Sequence, residues 1–296
     1  MEEKTTPLRK RMIEDMNIRG MGDKAQKAHI RAIKDFAGFL GRSPDTATPD
    51  DLRAYQLHMT ESGVTPPTFN ARIMALRFFF GTTCKKEEMH KHMQFRRQPR
   101  RLPVVLSMGD VSEILAAAPG PGLKYRAALS ISYGAGLRAS EVCNLKVGDI
   151  DSARMLIHVE QGKGRKDRKV MLAPGLLALL RAYWREARPA GWLFPGKPKI
   201  NPISPRQLSR AFLTAKQLVG ITGPSTLHTL RHSFATHLLE ANTDIRVIQV
   251  LLGHAKVTTT QQYAHVATRT IRDIVSPFEA LAAIAERGEG TRPGPE

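Results

Sequence analysis

Only two cysteines occur in this chain, Cys84 and Cys143, and they lie in different halves without a C-x-x-C partner. That count excludes a disulfide framework and a cysteine zinc site, and leaves buried thiols as the expectation. Long apolar runs are missing too. Nothing approaches the roughly 20 consecutive residues of a membrane-spanning helix, and no apolar block follows Glu2, Glu3 and Lys4 to make a signal peptide. A cytoplasmic protein with no membrane partner is expected. A nucleotide loop is also absent, since Gly162-Lys163-Gly164 lacks the G-x-x-x-x-G-K-[ST] frame. Acidic residues are scarce: 27 Asp and Glu face 45 Lys and Arg, leaving a net charge of +18 and an isoelectric point near 10.3. The expected partner is a polyanion.

The basic excess is spread along the chain. Residues 1–105 hold 20 basic and 12 acidic side chains (+8), and the remainder holds 25 and 15 (+10). Two domains touching one phosphate backbone suit this better than a detachable basic tail. A helical first domain is predicted over residues 1–84. Leu8, Met12 and Met16 recur at helical spacing before Gly20, and His29, Ile30, Ile33, Phe36, Ala37 and Leu40 form a second stripe. Thr48-Pro49-Asp50-Asp51 supplies a cap, a first-turn proline and acids at the positive helix end, with Leu52, Tyr55 and Met59 facing inward. Phe69, Ile73 and Leu76 mark a fourth helix. Residues 85–105 read as a basic linker, in which Lys85, Lys86, Arg96, Arg97, Arg100 and Arg101 are candidate DNA contacts.

A second domain is expected over 106–286, opened by the Ser107-to-Asp110 capping box, with a flexible tail over 287–296. It reads as mostly helical with one strand pair, Met155 to Val159 and Arg168 to Leu172, around a turn carrying Lys163. Helices are predicted at 175–188, 204–219, 228–241 and 244–252, the last capped by Thr243.

The chemistry-bearing residues concentrate in this second half. His228 and Arg231 are i and i+3 on one helix face and can converge on one phosphate. Arg138, in Tyr133-Gly-Ala-Gly-Leu-Arg138, offers a second planar fork for non-bridging oxygens, with Gly134 and Gly136 allowing a sharp turn. The alternative for Arg138 is an ion pair with Glu141 at i+3. Lys163 can reach a groove from its hairpin tip and donate a proton, or stay solvated. Tyr263 stands in a polar context after Thr258-Thr-Thr-Gln-Gln262; an ordinary phenol with a pKa near 10 needs neighbouring cations to act as a nucleophile. His228 and His232 at i and i+4 also permit a zinc pair, against which stand Arg231 between them and the missing zincin glutamate. No metal or cofactor is called for.

The ordered set Arg138, Lys163, His228-x-x-Arg231, His254 and Tyr263, with the phrases Leu230-Arg-His-Ser-Phe-Ala-Thr-His237 and Leu251-Leu-Gly-His254, resembles the tyrosine recombinases of the phage-integrase and Xer type. The resemblance implies a mainly α fold with a small β-sheet in the catalytic domain, arranged as a two-domain C-shaped DNA clamp. Arg138 and Arg231 would hold the scissile phosphate, His228 and His254 would bond it or assist proton transfer, Lys163 would protonate the leaving 5′-oxygen, and Tyr263 would attack. It further implies double-stranded DNA with inverted half-sites and a homotetramer on two sites. The segment Ile271 to Ala285 is expected to dock by its apolar stripe, in its own chain or on a neighbour. The length ahead of the catalytic domain suits a simple Xer-like or mobile-element enzyme. A type IB topoisomerase and a DNA-binding protein without cleavage remain the alternatives.

Overall fold

A computed structural model describes residues 6–97, 104–160, 167–253, 276–279 and 281. The chain divides between Arg101 and Leu102 into two units, each with its own apolar core.

Local signals set the helices of the first unit. Thr6 accepts the Arg9 amide at the start of α1 (Pro7–Ile18), and Gly20 leaves that helix at φ +63°. Next comes α2 (Asp23–Leu40), ended by the left-handed Gly41. Thr48 caps α3 (Pro49–Glu61) as expected, and Asp51 completes a reciprocal box by accepting the Thr48 amide. Then α4 (Pro66–Phe78) runs into one wide turn over Phe79–Thr83 that buries both Phe79 and Phe80. The predicted inward residues Leu52, Tyr55, Met59, Phe69, Ile73 and Leu76 are all buried, around a Phe36 ring 5.0 Å from Tyr55. Each such side chain contributes about 1.5–3 kcal/mol through removal from water.

The expected linker over 85–105 is folded across its first part. A 3-10 turn over Glu87–His92 buries Met89, and Met93 follows it into the same core. Two side-chain amides then pair with the passing backbone. Gln56 bonds the His92 carbonyl (2.7 Å) and the Gln94 amide (2.9 Å), and Asn70 bonds both backbone groups of Arg96. Two methionines four apart among charges anchored this stretch, and the basic residues around them masked that signal. Arg100 and Arg101 lie outside the described residues.

The second unit is built around α6 (Lys124–Gly134), whose last eight residues are all buried, so it is covered on every face. The helices about it are α5 (Met108–Ala116), entered through the predicted Ser107–Asp110 box, α7 (Ala139–Cys143), α8 (Pro174–Ala187), α9 (Pro205–Leu218), α10 (Leu227–Glu240) and α11 (Ile245–Leu252). Instead of a strand pair there is a three-stranded antiparallel sheet in the order β1 (Ile150–Asp151), β2 (Leu156–Val159), β3 (Arg168–Met171). Its register sets Leu156 opposite Met171 and Val159 opposite Arg168. Two residues are too few to show a period in sequence, so β1 gave no signal. The cap of α11 is Asp244, which accepts the Arg246 amide, and not Thr243.

Residues 276–281 pack on their own chain where they are described. Ser276 Oγ donates to the Gly134 carbonyl (2.9 Å), Glu279 accepts the Gly175 amide in the first turn of α8 (2.9 Å), and Leu281 is buried. A Cβ on Gly134 would stand 3.2 Å from that of Phe278. Gly134 thus serves this contact at the end of α6, while the sharp turn falls to Gly136 alone. Gly136 has φ +61°, and a Cβ there would meet the Phe234 ring at 2.5 Å.

Candidate active site

The turn through Gly136 delivers Arg138 to the N-cap of α7, where its extended backbone (φ −71°, ψ 152°) points the amide into the first turn. Both its amide and its Nη1 donate to Glu141, each at 2.8 Å. The i+3 ion pair weighed from sequence therefore exists, but it is one spoke of a larger cluster. Arg168, on β3, lays its fork on the same carboxylate, Nη1 to Oε1 at 2.9 Å and Nη2 to Oε2 at 2.8 Å. Arg231, on α10, brings Nη1 to 3.8 Å from Glu141.

Arg231 is held from three sides. Its Nη1 donates to the Gly136 carbonyl at 2.6 Å and its Nη2 to the Leu252 carbonyl at the end of α11. Arg168 Nε donates to the neighbouring Leu251 carbonyl (3.0 Å). Two guanidinium groups thus satisfy the last-turn carbonyls of α11 and sit at its negative end. Gly253 follows in the left-handed conformation (φ +59°), and His254 comes next in sequence.

Burial would push the Glu141 carboxyl up. The Arg168 hydrogen bonds and charge, and then the Arg138 bonds, outweigh it and hold the group at about 2. Burial first, then the nearby Arg138 charge, pulls Arg231 down to about 9, with Glu141 opposing, so it stays cationic at neutral pH. Among the described residues, three guanidinium groups gather on one carboxylate. The cluster is suited to an anion, because buried charge is tolerated when it is matched.

His228 lies in the first turn of α10, whose backbone is set by the Thr226 amide donating to Thr229 Oγ1 (2.9 Å). Its ring meets His232 edge-on, with centroids 4.6 Å apart. Burial lowers the His228 pKa, and His232, Arg231 and Arg138 lower it further, leaving a neutral imidazole able to accept a proton. His237 and Tyr133 form a separate buried pair, with Nδ1 and the phenol oxygen 2.8 Å apart. His237 thus packs and hydrogen-bonds inside the unit, away from the arginine cluster's carboxylate.

Three of the six sequence candidates, Arg138, His228 and Arg231, are therefore brought to one place, while Lys163, His254 and Tyr263 lie outside the described residues. Sequence reasoning missed Glu141 as a hub and missed Arg168 entirely. The i+3 spacing of Glu141 from Arg138 was a usable signal; Arg168 was hidden in the basic run Arg165-Lys-Asp-Arg168. Among the linker candidates, Lys86 Nζ donates to the Asp45 carbonyl and Arg96 lies over the Phe69 ring, whereas Lys85 and Arg97 are exposed. Among the described residues, the metal-ligand types gather three at a time only at Asp149, His158 and Glu160. Lys146 already occupies that group, its amide on Asp149 and its ammonium on Glu160.

The phage integrase family model matches residues 105–270, and the model of the N-terminal SAM-like domain of phage integrases matches 8–89. A Sinorhizobium fredii protein carrying the name integrase/recombinase y4qK is 43% identical over 278 residues, covering 93% of this chain and 90% of that protein. Tyrosine recombinase XerD of Caulobacter vibrioides is 33% identical over 277 residues, covering 86% and 90%. The chain also shares its fold with a lambda integrase(75-356) dimer bound to a COC′ core site, at TM-score 0.67 and 20% identity over 86% of this chain and 95% of that one. By a family match over more than half its length and relatives of this closeness along most of it, this chain belongs to the phage integrase family, the tyrosine recombinases.

Proposed function

We propose that this enzyme of site-specific recombination cleaves and rejoins double-stranded DNA through a covalent 3′-phosphotyrosine, without ATP or a catalytic metal. The observation that carries the reading is the convergence of Arg138 and Arg231 on one buried carboxylate, with His228 on the same helix face as Arg231. Held this way, the guanidinium groups meet the non-bridging oxygens of a phosphodiester without reorganising as charge develops. The Tyr263 oxygen would attack phosphorus and lose its proton to a neutral imidazole, His228 or His254. The bond to the 5′-oxygen would break as Lys163 protonates it. The new ester keeps the energy of the old one, so a second 5′-hydroxyl can reverse the step and join a different strand. Integration, excision and resolution of DNA are all served by that exchange.

The basic surplus in both halves of the chain supports a duplex partner. The fold neighbours include a lambda integrase tetramer bound to a Holliday junction. By analogy, four copies of this chain would assemble on two sites of inverted half-sites, in the cytoplasm.

The test begins with the preferred site, recovered by selection from random duplexes with the full chain. A nicked duplex bearing that site should trap a denaturant-stable adduct with wild type and none with Tyr263→Phe. Tight binding without an adduct would make the chain a DNA-binding protein only. Relaxation of any supercoiled plasmid, without site preference or strand exchange, would make it a type IB topoisomerase.

A further inference from the structure

The three residue carriers of the cleavage site are α7 with Arg138, the β2–β3 hairpin with Lys163, and the end of α11 ahead of His254. One side chain links all three. We propose that Arg168 is a positioning residue for strand cleavage: its fork orients Glu141, and through it Arg138 and Arg231, while its Nε fixes the last turn of α11. The inference rests on the phosphotyrosine reading above.

All three guanidinium nitrogens of Arg168 donate within the protein, two to Glu141 and one to the Leu251 carbonyl. The side chain is 11% exposed. Every bond it makes therefore runs to an element that carries or precedes a residue of the cleavage site. The fork spans both oxygens of Glu141, and those same oxygens take the Arg138 Nη1 and the Arg138 amide. Rotation of the carboxylate would release Arg138 and shift the charge facing Arg231. The aliphatic arm of Arg168 lies against Gly253, where an added Cβ would meet Arg168 Cδ at 3.0 Å. The turn that sends the chain to His254 is thus braced from β3, and the start of β3 is fixed to the end of α11. Lysine keeps the charge but cannot span a carboxylate and a carbonyl in one plane.

Arg168→Lys is the variant that separates positioning from charge, and two measurements on the full chain decide its role. The first needs no DNA: the His228 ring is titrated by NMR in wild type and variant. Arg138 and Arg231 are among the charges that hold its pKa down, so displaced guanidinium groups raise the midpoint although the total charge is unchanged. The second is single-turnover cleavage of the selected nicked duplex, with either an ordinary phosphate or a neutral methylphosphonate at the scissile position. Cleavage of the phosphate should slow about a hundredfold, the loss expected of a small misplacement, with duplex affinity within about threefold of wild type. On the methylphosphonate the deficit should shrink to about tenfold or less, because the charge that the arginines neutralise is gone. An unmoved His228 midpoint, or equal deficits on the two substrates, overturns the assignment and leaves Arg168 a folding residue. If wild type forms no adduct on either substrate, it is the phosphotyrosine reading that fails, and the His228 titration still decides the wiring.

Discussion

The two units bury different things. Among the described residues of the first, Thr83 is the one buried polar side chain outside the aromatic set, and the core is methionine, leucine, isoleucine and phenylalanine with Tyr55 and Ala47. The second unit buries Glu141, Asp149, Lys216, Arg231 and His237 along with several hydroxyls. Apolar burial is non-directional and stabilises a fold. Buried charge costs free energy unless each group is met at a fixed place, so it persists where a site needs fixed charge. The first unit is therefore read as a scaffold that presents surface, and the second as the one that performs chemistry.

The largest expected effect lies in the second unit. Arg138→Ala should slow cleavage by about 10³-fold, the loss typical of a removed charge-stabilising donor. Arg168 still spans both oxygens of Glu141 in that variant, so the melting temperature should fall only modestly. Single-turnover cleavage beside calorimetry checks this; a variant that melts early and cleaves normally when folded would break the contrast. Next, in the first unit, Phe36→Ala should cost about 3–5 kcal/mol by cavity formation, read by denaturant unfolding. The covalent step should be unchanged in the molecules that remain folded and bound.

Two carboxylates held at about 2 sharpen the comparison. Glu141 is buried, and its folded pKa lies below the ordinary 4.5. The unfolded chain then binds the proton more tightly, so the stabilisation is fully present above pH 4.5 and is lost as pH falls toward 2. The shift corresponds to roughly 3 kcal/mol. Glu141→Gln should lower stability at neutral pH and flatten the pH dependence of melting across that window. Asp51 in the first unit is also held at about 2, chiefly by the Thr48 amide, then the Thr48 hydroxyl and Arg42, but it faces solvent. The smallest effect belongs to its box: Thr48→Ala should cost about 1 kcal/mol, seen by thermal melting, and leave cleavage unaltered.

What was legible in the sequence was local. The Thr48 cap, the Ser107–Asp110 box and the Leu52, Tyr55 and Met59 stripe each depend on residues a few positions apart, the β2–β3 pair on two short runs either side of one turn, and each is found in the fold. The His228–Arg231 face was legible for the same reason. What escaped depended on distance in sequence. Glu141 meets Arg168 from 27 positions away, and the Leu251 carbonyl meets Arg168 from 83. No period or cap marks such a pairing. The methionines at 89 and 93 escaped because lysine and arginine around them set the composition, whereas burial is decided residue by residue.

Arg231→Lys tests the buried cluster most directly, because it keeps the charge and removes the fork that joins Gly136, Leu252 and Glu141. Binding and single-turnover cleavage of the selected duplex are measured in parallel. The prediction is a fall in cleavage of about 10³-fold or more, with affinity reduced by less than about tenfold because the basic surface supplies most of it. Equal losses of binding and cleavage, or cleavage near the wild-type rate, would contradict the claim that this buried cluster serves phosphoryl transfer.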